Sequence, residues 1–377
     1  MKSIGIVAEY NPFHNGHKYQ IEKSREITGA DVVVAAISGN FVQRGMPAVY
    51  DKWKRAEMAV KQGVDLVVEI PTIYACNSAE YFAKGAVKVL EGFGSIDYIS
   101  FGSECGDIEA LSRIANVLKT QDVSIHEKIQ DLTKKGLSYP RARVIAVEDL
   151  LSADEKEILK EPNNILAIEY LKNIKNLRPM TIKRSGDGYH ETATKIREKM
   201  INEKDSHLKL IEDNYFKLVT SKILQSNGDY LEGIISSGQG LGNKIKKEIR
   251  YCSSIEELIN AVKSKVYTYT RISRFLTQIL LGITEESIRN ENGYIRILAF
   301  NKNGADFLKN VKKNEMAKIP IITNINKDVY GHEELMETIN YDVLAGDMYN
   351  LIAERNLYKY SDFVVKPYLN LGKPLEK

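Results

Sequence analysis

Glu9-Tyr10-Asn11-Pro12-Phe13-His14-Asn15-Gly16-His17-Lys18 follows directly on the apolar run Ile4-Gly5-Ile6-Val7-Ala8 and precedes a stretch with helical apolar spacing at Tyr19, Ile21 and Ile27. Strand, Pro-containing turn, two histidines three residues apart and helix is the order that a nucleotide site in an α/β protein requires. If the first helical turn begins near Asn15, His14 and His17 share a face. The positive end of that helix and its free N–H groups then favour an anion such as a triphosphate. Gly16 removes the Cβ that would hold a phosphate or adenine off the backbone. Two histidines at this spacing in arbitrary surroundings are more often loop and cap residues. The strand and helix on either side reverse that reading.

Working outward, strand-like apolar runs at Ile4–Ala8, Val32–Ile37, Val64–Ile70 and Ile96–Phe101 alternate with helical patterns at about Gly16–Thr28, Asp51–Gln62 and Ser78–Phe93. Short continuous apolar strands alternating with helices predict a Rossmann-like α/β domain with a parallel sheet covered on both faces, its ligands at the carboxyl ends of the strands. The functional loops are then Glu9–His17, Ser38–Pro47, Pro71–Asn77 and Gly102–Asp107. Ser38-Gly39-Asn40-Phe41-Val42-Gln43-Arg44-Gly45, flanked by glycines and ending on Arg, suits substrate contact better than packing.

After Lys199 the pattern becomes mostly helical, with a short strand pair at Ile295–Phe300 and Ile319–Thr323. The expected division is a nucleotide domain over residues 1–200 and a mostly helical domain over 201–377. Gly238-Gln239-Gly240-Leu241-Gly242 lacks both the third glycine and the preceding strand of a dinucleotide fingerprint, so it reads as a loop between helices. From Lys244 to Arg274 eight basic residues (Lys244, Lys246, Lys247, Arg250, Lys263, Lys265, Arg271, Arg274) face three acidic ones, with Tyr251, Tyr267 and Tyr269 between them. That is either a solvated helix face or a surface that tracks phosphates and stacks bases. Near the domain boundary, in Glu191-Thr192-Ala193-Thr194-Lys195-Ile196-Arg197, Thr194 is placed to cap a helix and donate to phosphate, with Arg197 facing the same anion.

The chain has 377 residues, 43% of them hydrophobic, and a net charge of only +3, so any nucleic-acid binding must rest on local charge. No apolar run is long enough for a membrane span and no signal-peptide pattern is present, so a cytoplasmic location is expected. Cys76, Cys105 and Cys252 are isolated and odd in number, which supports neither a disulfide framework nor a metal site.

His14-Asn15-Gly16-His17 with Thr194-x-x-Arg197 resembles the paired signatures of the HxGH nucleotidyltransferase superfamily. The strings Glu9 to His17, Ser38 to Gly45, Lys52-Trp53-Lys54-Arg55, Phe101-Gly102-Ser103-Glu104 and Pro162-Asn163-Asn164-Ile165-Leu166 narrow this to a resemblance, through the whole chain, to the bacterial tRNA(Met) cytidine acetate ligase family. The resemblance implies that ATP and acetate form acetyl-adenylate and pyrophosphate, after which the acetyl group passes to N4 of the wobble cytidine of elongator tRNA(Met). It implies His14, His17 and Arg197 as the catalytic set. The implied ATP pocket comprises Val7, Ala8, Glu9, Tyr10, Asn11, Pro12, Phe13, His14, Asn15, Gly16, His17, Lys18, Gln20, Gly102, one of Asn163 and Asn164, Arg184 and Thr194. Lys52 is a further candidate phosphate contact. Ala193 departs from the superfamily, which has Ser there, so one hydroxyl donor is missing. ATP taken with Mg2+ is the expected cosubstrate, with no tightly bound prosthetic group. Lys244, Lys246, Lys247, Arg250, Arg271 and Arg274 are the expected tRNA contacts, and the oligomeric state stays open. Two alternatives remain: a small-molecule adenylyltransferase, and a non-catalytic RNA-binding protein on the same scaffold.

Overall fold

The computed structural model describes residues 1–120, 122–137, 139–147, 149–184, 196–197, 200, 206–289 and 292–370. Its centre is a mostly parallel sheet. Strands β1 (Ser3–Ala8), β2 (Val32–Ser38), β3 (Leu66–Ile70), β4 (Tyr98–Ser103) and β5 (Arg178–Lys183) run parallel in the order β5-β4-β1-β2-β3. Every residue of β2 and β3 is buried, which is why these strands read as unbroken apolar runs rather than alternating ones.

Helix α1 (Asn15–Thr28) returns the chain from β1 to β2 and stops at Gly29, whose left-handed φ of 63° closes the last turn. Helix α2 (Lys52–Lys61) starts at Asp51, whose carboxylate accepts the N–H of Lys54. The N-terminal alternation is thus the one the apolar runs predict. The segment Pro71–Asn77 differs from its expected role. It holds a short helix, Thr72–Ala75, all seven of its residues are buried, and it packs in the core instead of forming a substrate loop.

Beyond residue 200 the chain is largely helical, with Ser206–Gln225, Tyr269–Leu281 and Met336–Ile352 the longest helices among the described residues. It also returns to the sheet. Strand β6 (Ile295–Asn301) pairs antiparallel with β3, and β7 (Ile321–Ile322) and β8 (Tyr368–Asn370) pair with β6. The two predicted short strands are therefore not a separate pair but an extension of the N-terminal sheet. One apolar cluster runs from Val7 and Val32 to Tyr215, Phe275 and Tyr349, so the boundary expected at residue 200 separates neither the sheet nor the core.

Polar links cross that boundary too. Asp342 accepts the backbone N–H of Thr72 at 2.7 Å, and the Tyr349 hydroxyl donates to Val49 O. The turn after β2 is seated the same way. Gly45, at φ 79°, lies so close to the helix at Tyr269–Leu281 that a Cβ would stand 2.3 Å from Arg274 Cα. Its carbonyl accepts hydrogen bonds from Ser273 and Thr277. Only glycine permits that approach.

Candidate active site

A cleft of about 470 Å³ opens at the carboxyl ends of β1, β2, β4 and β5. Its floor comes from Val7 to Asn11, His14, His17, Gln20, Phe101, Gly102 and Arg184. One side carries Val42, Gln43, Arg44, Met46 and Pro47, and the mouth is walled by Leu208, Ile211, Glu212, Tyr269 and Ser273 from the later helices. Val49, Phe82, Asn163, Leu166, Tyr170 and Arg197 complete it. Strand ends and loop tips are where an open parallel sheet leaves room for a ligand.

The two histidines are built into the start of α1. Nδ1 of His14 accepts the N–H of Gly16 at 3.1 Å, and Nδ1 of His17 accepts the N–H of His14 at 3.2 Å, a reciprocal capping box made from histidines. Since Nδ1 is the acceptor in both rings, each neutral imidazole carries its proton on Nε2. Burial, followed by the charges of Arg184 and Arg197, lowers the pKa of His14 to about 4. Burial, His14 and Arg184 hold His17 well below the ordinary imidazole value. Both rings are therefore neutral donors at physiological pH. Phe13 and Tyr10 hold the His17 ring from behind, with centroids 5.4 and 4.9 Å away.

Two details differ from the sequence reading. The N–H groups of Gly16 and His17 are bonded to His14 Nδ1 and O, so the donors facing the cleft here are Nε2–H groups rather than those two amides. Gly16 is also required for a local reason. A Cβ there would lie 2.9 Å from His14 Cε1, so the missing side chain makes room for the His14 ring itself.

Of the expected ATP contacts, Val7, Ala8, Glu9, Tyr10, Asn11, His14, His17, Gln20, Gly102, Asn163 and Arg184 line the cleft, as does Arg197. Arg197 also donates to Asn11 O. Buried Gln20 Nε2 makes no hydrogen bond among the described residues. Pro12, Phe13, Asn15, Gly16 and Lys18 do not line the cleft. Phe13 and Gly16 support the histidines, and Lys18 is exposed beside Glu22. Thr194, with Thr192 and Ala193, lies outside the described residues. The choice between the two asparagines also follows. Asn164 is buried, its Oδ1 accepting from Glu104 and Cys105 N–H and its Nδ2 donating to Ile158 O, so Asn163 is the one open to the cleft.

Lys52 is not in the cleft. It is 1% exposed, with Nζ 2.8 Å from both Glu69 Oε2 and Asp362 Oδ1, because a buried ammonium needs carboxylates of its own. Arg55, equally buried, donates to the carbonyls of Glu9, Ser38, Gly39 and Tyr50, and so fixes the ends of β1 and β2 that form the cleft.

The basic segment divides into two sets. Lys247, Arg250, Lys263 and Lys265 are exposed. Lys244 and Lys246 are half-buried and donate to Val262 O and Ser226 O. Arg271 holds the Ser237–Gly238 carbonyls and Gln239 Oε1, fastening the glycine-rich loop that opens the helix Leu241–Glu248. Burial and the charge of Arg271 bring half-buried Arg274 down to about 10. Tyr267 is buried and bonded to Gln239 O, while Tyr251 and Tyr269 present exposed rings.

These features define a nucleotidyl-transfer site: neutral imidazole donors and arginines around a cleft at a strand-to-helix turn. A model of the HIGH Nucleotidyl Transferase family matches residues 1–362. The chain belongs to that family and, within it, to the tRNA(Met) cytidine acetate ligases. A relative of that name from Thermoanaerobacter is 37% identical, covering 97% of this chain and 98% of its own. Another from Caldanaerobacter subterraneus is 40% identical, covering 96% and 98%. The crystal structure of Thermotoga maritima TmcAL bound with alpha-thio ATP superposes with a TM-score of 0.89 at 32% identity, covering 99% of this chain and all of that one.

Proposed function

We propose that the protein joins acetate to ATP as acetyl-adenylate and passes the acetyl group to N4 of the wobble cytidine of elongator tRNA(Met). The observation that carries this reading is the grouping of His14, His17, Arg184 and Arg197 around one cleft, in a chain whose relatives are named tRNA(Met) cytidine acetate ligases. In the first step an acetate oxygen attacks the α-phosphorus of ATP. One P–O bond forms, the bond to the β-phosphate bridge breaks, and pyrophosphate leaves. Negative charge grows on the phosphoryl oxygens, where Nε2–H donors and guanidinium groups fixed in advance stabilise it without reorganising. Neutral histidines suit this role, because they donate to the developing charge without holding pyrophosphate as tightly as cations would.

ATP is proposed to arrive with Mg2+ on its phosphates. Among the described residues no group of three or more His, Cys, Asp or Glu is arranged to hold a metal ion. Among the same residues no helix is long and apolar enough to cross a membrane. The tRNA is proposed to lie across the exposed cations Lys247, Arg250, Lys263 and Lys265, with the helical part of residues 201–377 as its platform. The test is exchange of labelled pyrophosphate into ATP by the purified protein without tRNA. Exchange that requires acetate supports the reading, and exchange indifferent to acetate contradicts it.

A further inference from the structure

Among the described residues two carboxylates line the cleft, and they differ in availability. Glu9, at the end of β1, accepts the N–H of Gln43 at 2.7 Å and so braces the floor beside the histidines. Glu212 projects from the helix Ser206–Gln225 at the mouth. It is exposed and makes no hydrogen bond or ion pair among the described residues. Beside it stands Tyr269, the first residue of the helix Tyr269–Leu281, 44% exposed and lining the same cleft. An exposed aromatic face next to a free carboxylate suits a flat, uncharged group with N–H donors, and a phosphate would be repelled there. Arg184 and Arg197 instead act on His14, where the phosphates are proposed to lie, and exposed Arg44 lines the cleft as well.

Resting on the acetylation reading, we propose that Tyr269 and Glu212 form the subsite for the acceptor base, Tyr269 stacking on the cytosine ring and Glu212 accepting the N4 amine proton. A carboxylate is the side chain that reads cytosine N4–H, and base stacking on an aromatic ring supplies affinity without demanding sequence. The amine of cytosine is a poor nucleophile because its lone pair is delocalised into the ring, so removing a proton as the new bond forms lowers the barrier. In the step itself, N4 attacks the acetyl carbonyl carbon and a C–N bond forms. The acyl C–O bond to AMP breaks, its electron pair leaves on the AMP phosphate, and one N4 proton moves to the Glu212 carboxylate and then to water. Partial desolvation, with Asp213 and Glu256 nearby, raises the pKa of Glu212, which makes it a stronger base than a free carboxylate.

The two half-reactions allow a direct test with the full-length protein. Glu212→Gln keeps the shape and the stacking partner but cannot take the proton. It should retain the melting temperature and acetate-dependent pyrophosphate exchange, and lose about 100-fold or more in single-turnover transfer from enzyme-bound acetyl-adenylate to tRNA. Tyr269→Ala should raise the tRNA concentration needed for half-maximal transfer by about tenfold, while Tyr269→Phe restores it. Normal transfer by Glu212→Gln overturns the assignment, and so does parallel loss of exchange and transfer, which would put Glu212 in activation. If the parent protein shows no acetate-dependent exchange, the acetylation reading itself fails, an outcome these variants do not produce.

Discussion

The imidazole rings of His14 and His17 lie face to face, their centroids 3.7 Å apart and their planes 24° from parallel. Two cations could not share that geometry at low cost, whereas two neutral rings can. The same Nδ1 contacts that cap α1 set the tautomers, so capping the helix and presenting Nε2–H donors are one arrangement rather than competing explanations.

Separating the two roles gives the first prediction. His14→Asn should keep the cap, because an amide oxygen serves at that position, and leave stability nearly unchanged. His14→Ala should cost about 1 kcal/mol in chemical denaturation. Both should reduce acetate-dependent pyrophosphate exchange by about 100-fold, the scale of a lost charge-stabilising donor. Full exchange by His14→Asn would reduce His14 to a cap.

The second prediction concerns pH. His14 falls from the ordinary value of 6.5 to about 4 in the folded protein, so between those values the unfolded chain binds the extra proton. Its contribution to stability is fully present above pH 6.5 and is lost as the pH falls toward 4. An NMR titration of the ATP-free protein should show the His14 ring still neutral at pH 5.5, about 1.5 units above its midpoint. A midpoint near 6.5 would contradict the buried, arginine-flanked ring.

Gly16→Ala should displace the His14 ring, because the new Cβ would meet Cε1 at 2.9 Å. A cost of about 1 kcal/mol from an off-rotamer ring is expected, with a larger fractional loss of exchange than of stability. Steady-state exchange alongside thermal melting measures both; unchanged exchange would show that the ring position is unimportant.

Lys52→Met should destabilise the fold by about 3–5 kcal/mol, because Glu69 and Asp362 are left as buried carboxylates without their shared cation. Burial already raises Glu69 to about 8 against the pull of Lys52. In protein that remains folded, the ATP concentration for half-maximal exchange should stay near the parent's. A large rise without destabilisation would return Lys52 to the phosphate site.

Much of this site was legible because its residues are close in sequence. The run Val7 to Gln20 spans a strand end, a turn and a helix start, and local spacing was enough to place His14 and His17 there. Lys52 misled because a lysine beside a nucleotide motif looks the same whether it faces phosphate or two carboxylates, one of them 310 residues away. Tyr267 and Arg271 counted toward a basic, aromatic face, yet their contacts with the Ser237–Gln239 segment are tertiary and leave no local pattern. Strand β6 was visible as an apolar run, but its pairing with β3 depends on a return of more than 200 residues, which no periodicity encodes. Glu212 carried no signal at all, since one acidic residue on a helix is ordinary until a cleft is seen beside it.

Incubation of the purified protein with ATP, carboxyl-labelled acetate and bulk tRNA, followed by nuclease digestion and separation of the nucleosides, tests the central claim most directly. Label should appear in N4-acetylcytidine, only when ATP is present, and in proportion to the elongator tRNA(Met) supplied. Unlabelled RNA under these conditions, or acetylcytidine formed from acetyl-CoA without ATP, would contradict the account.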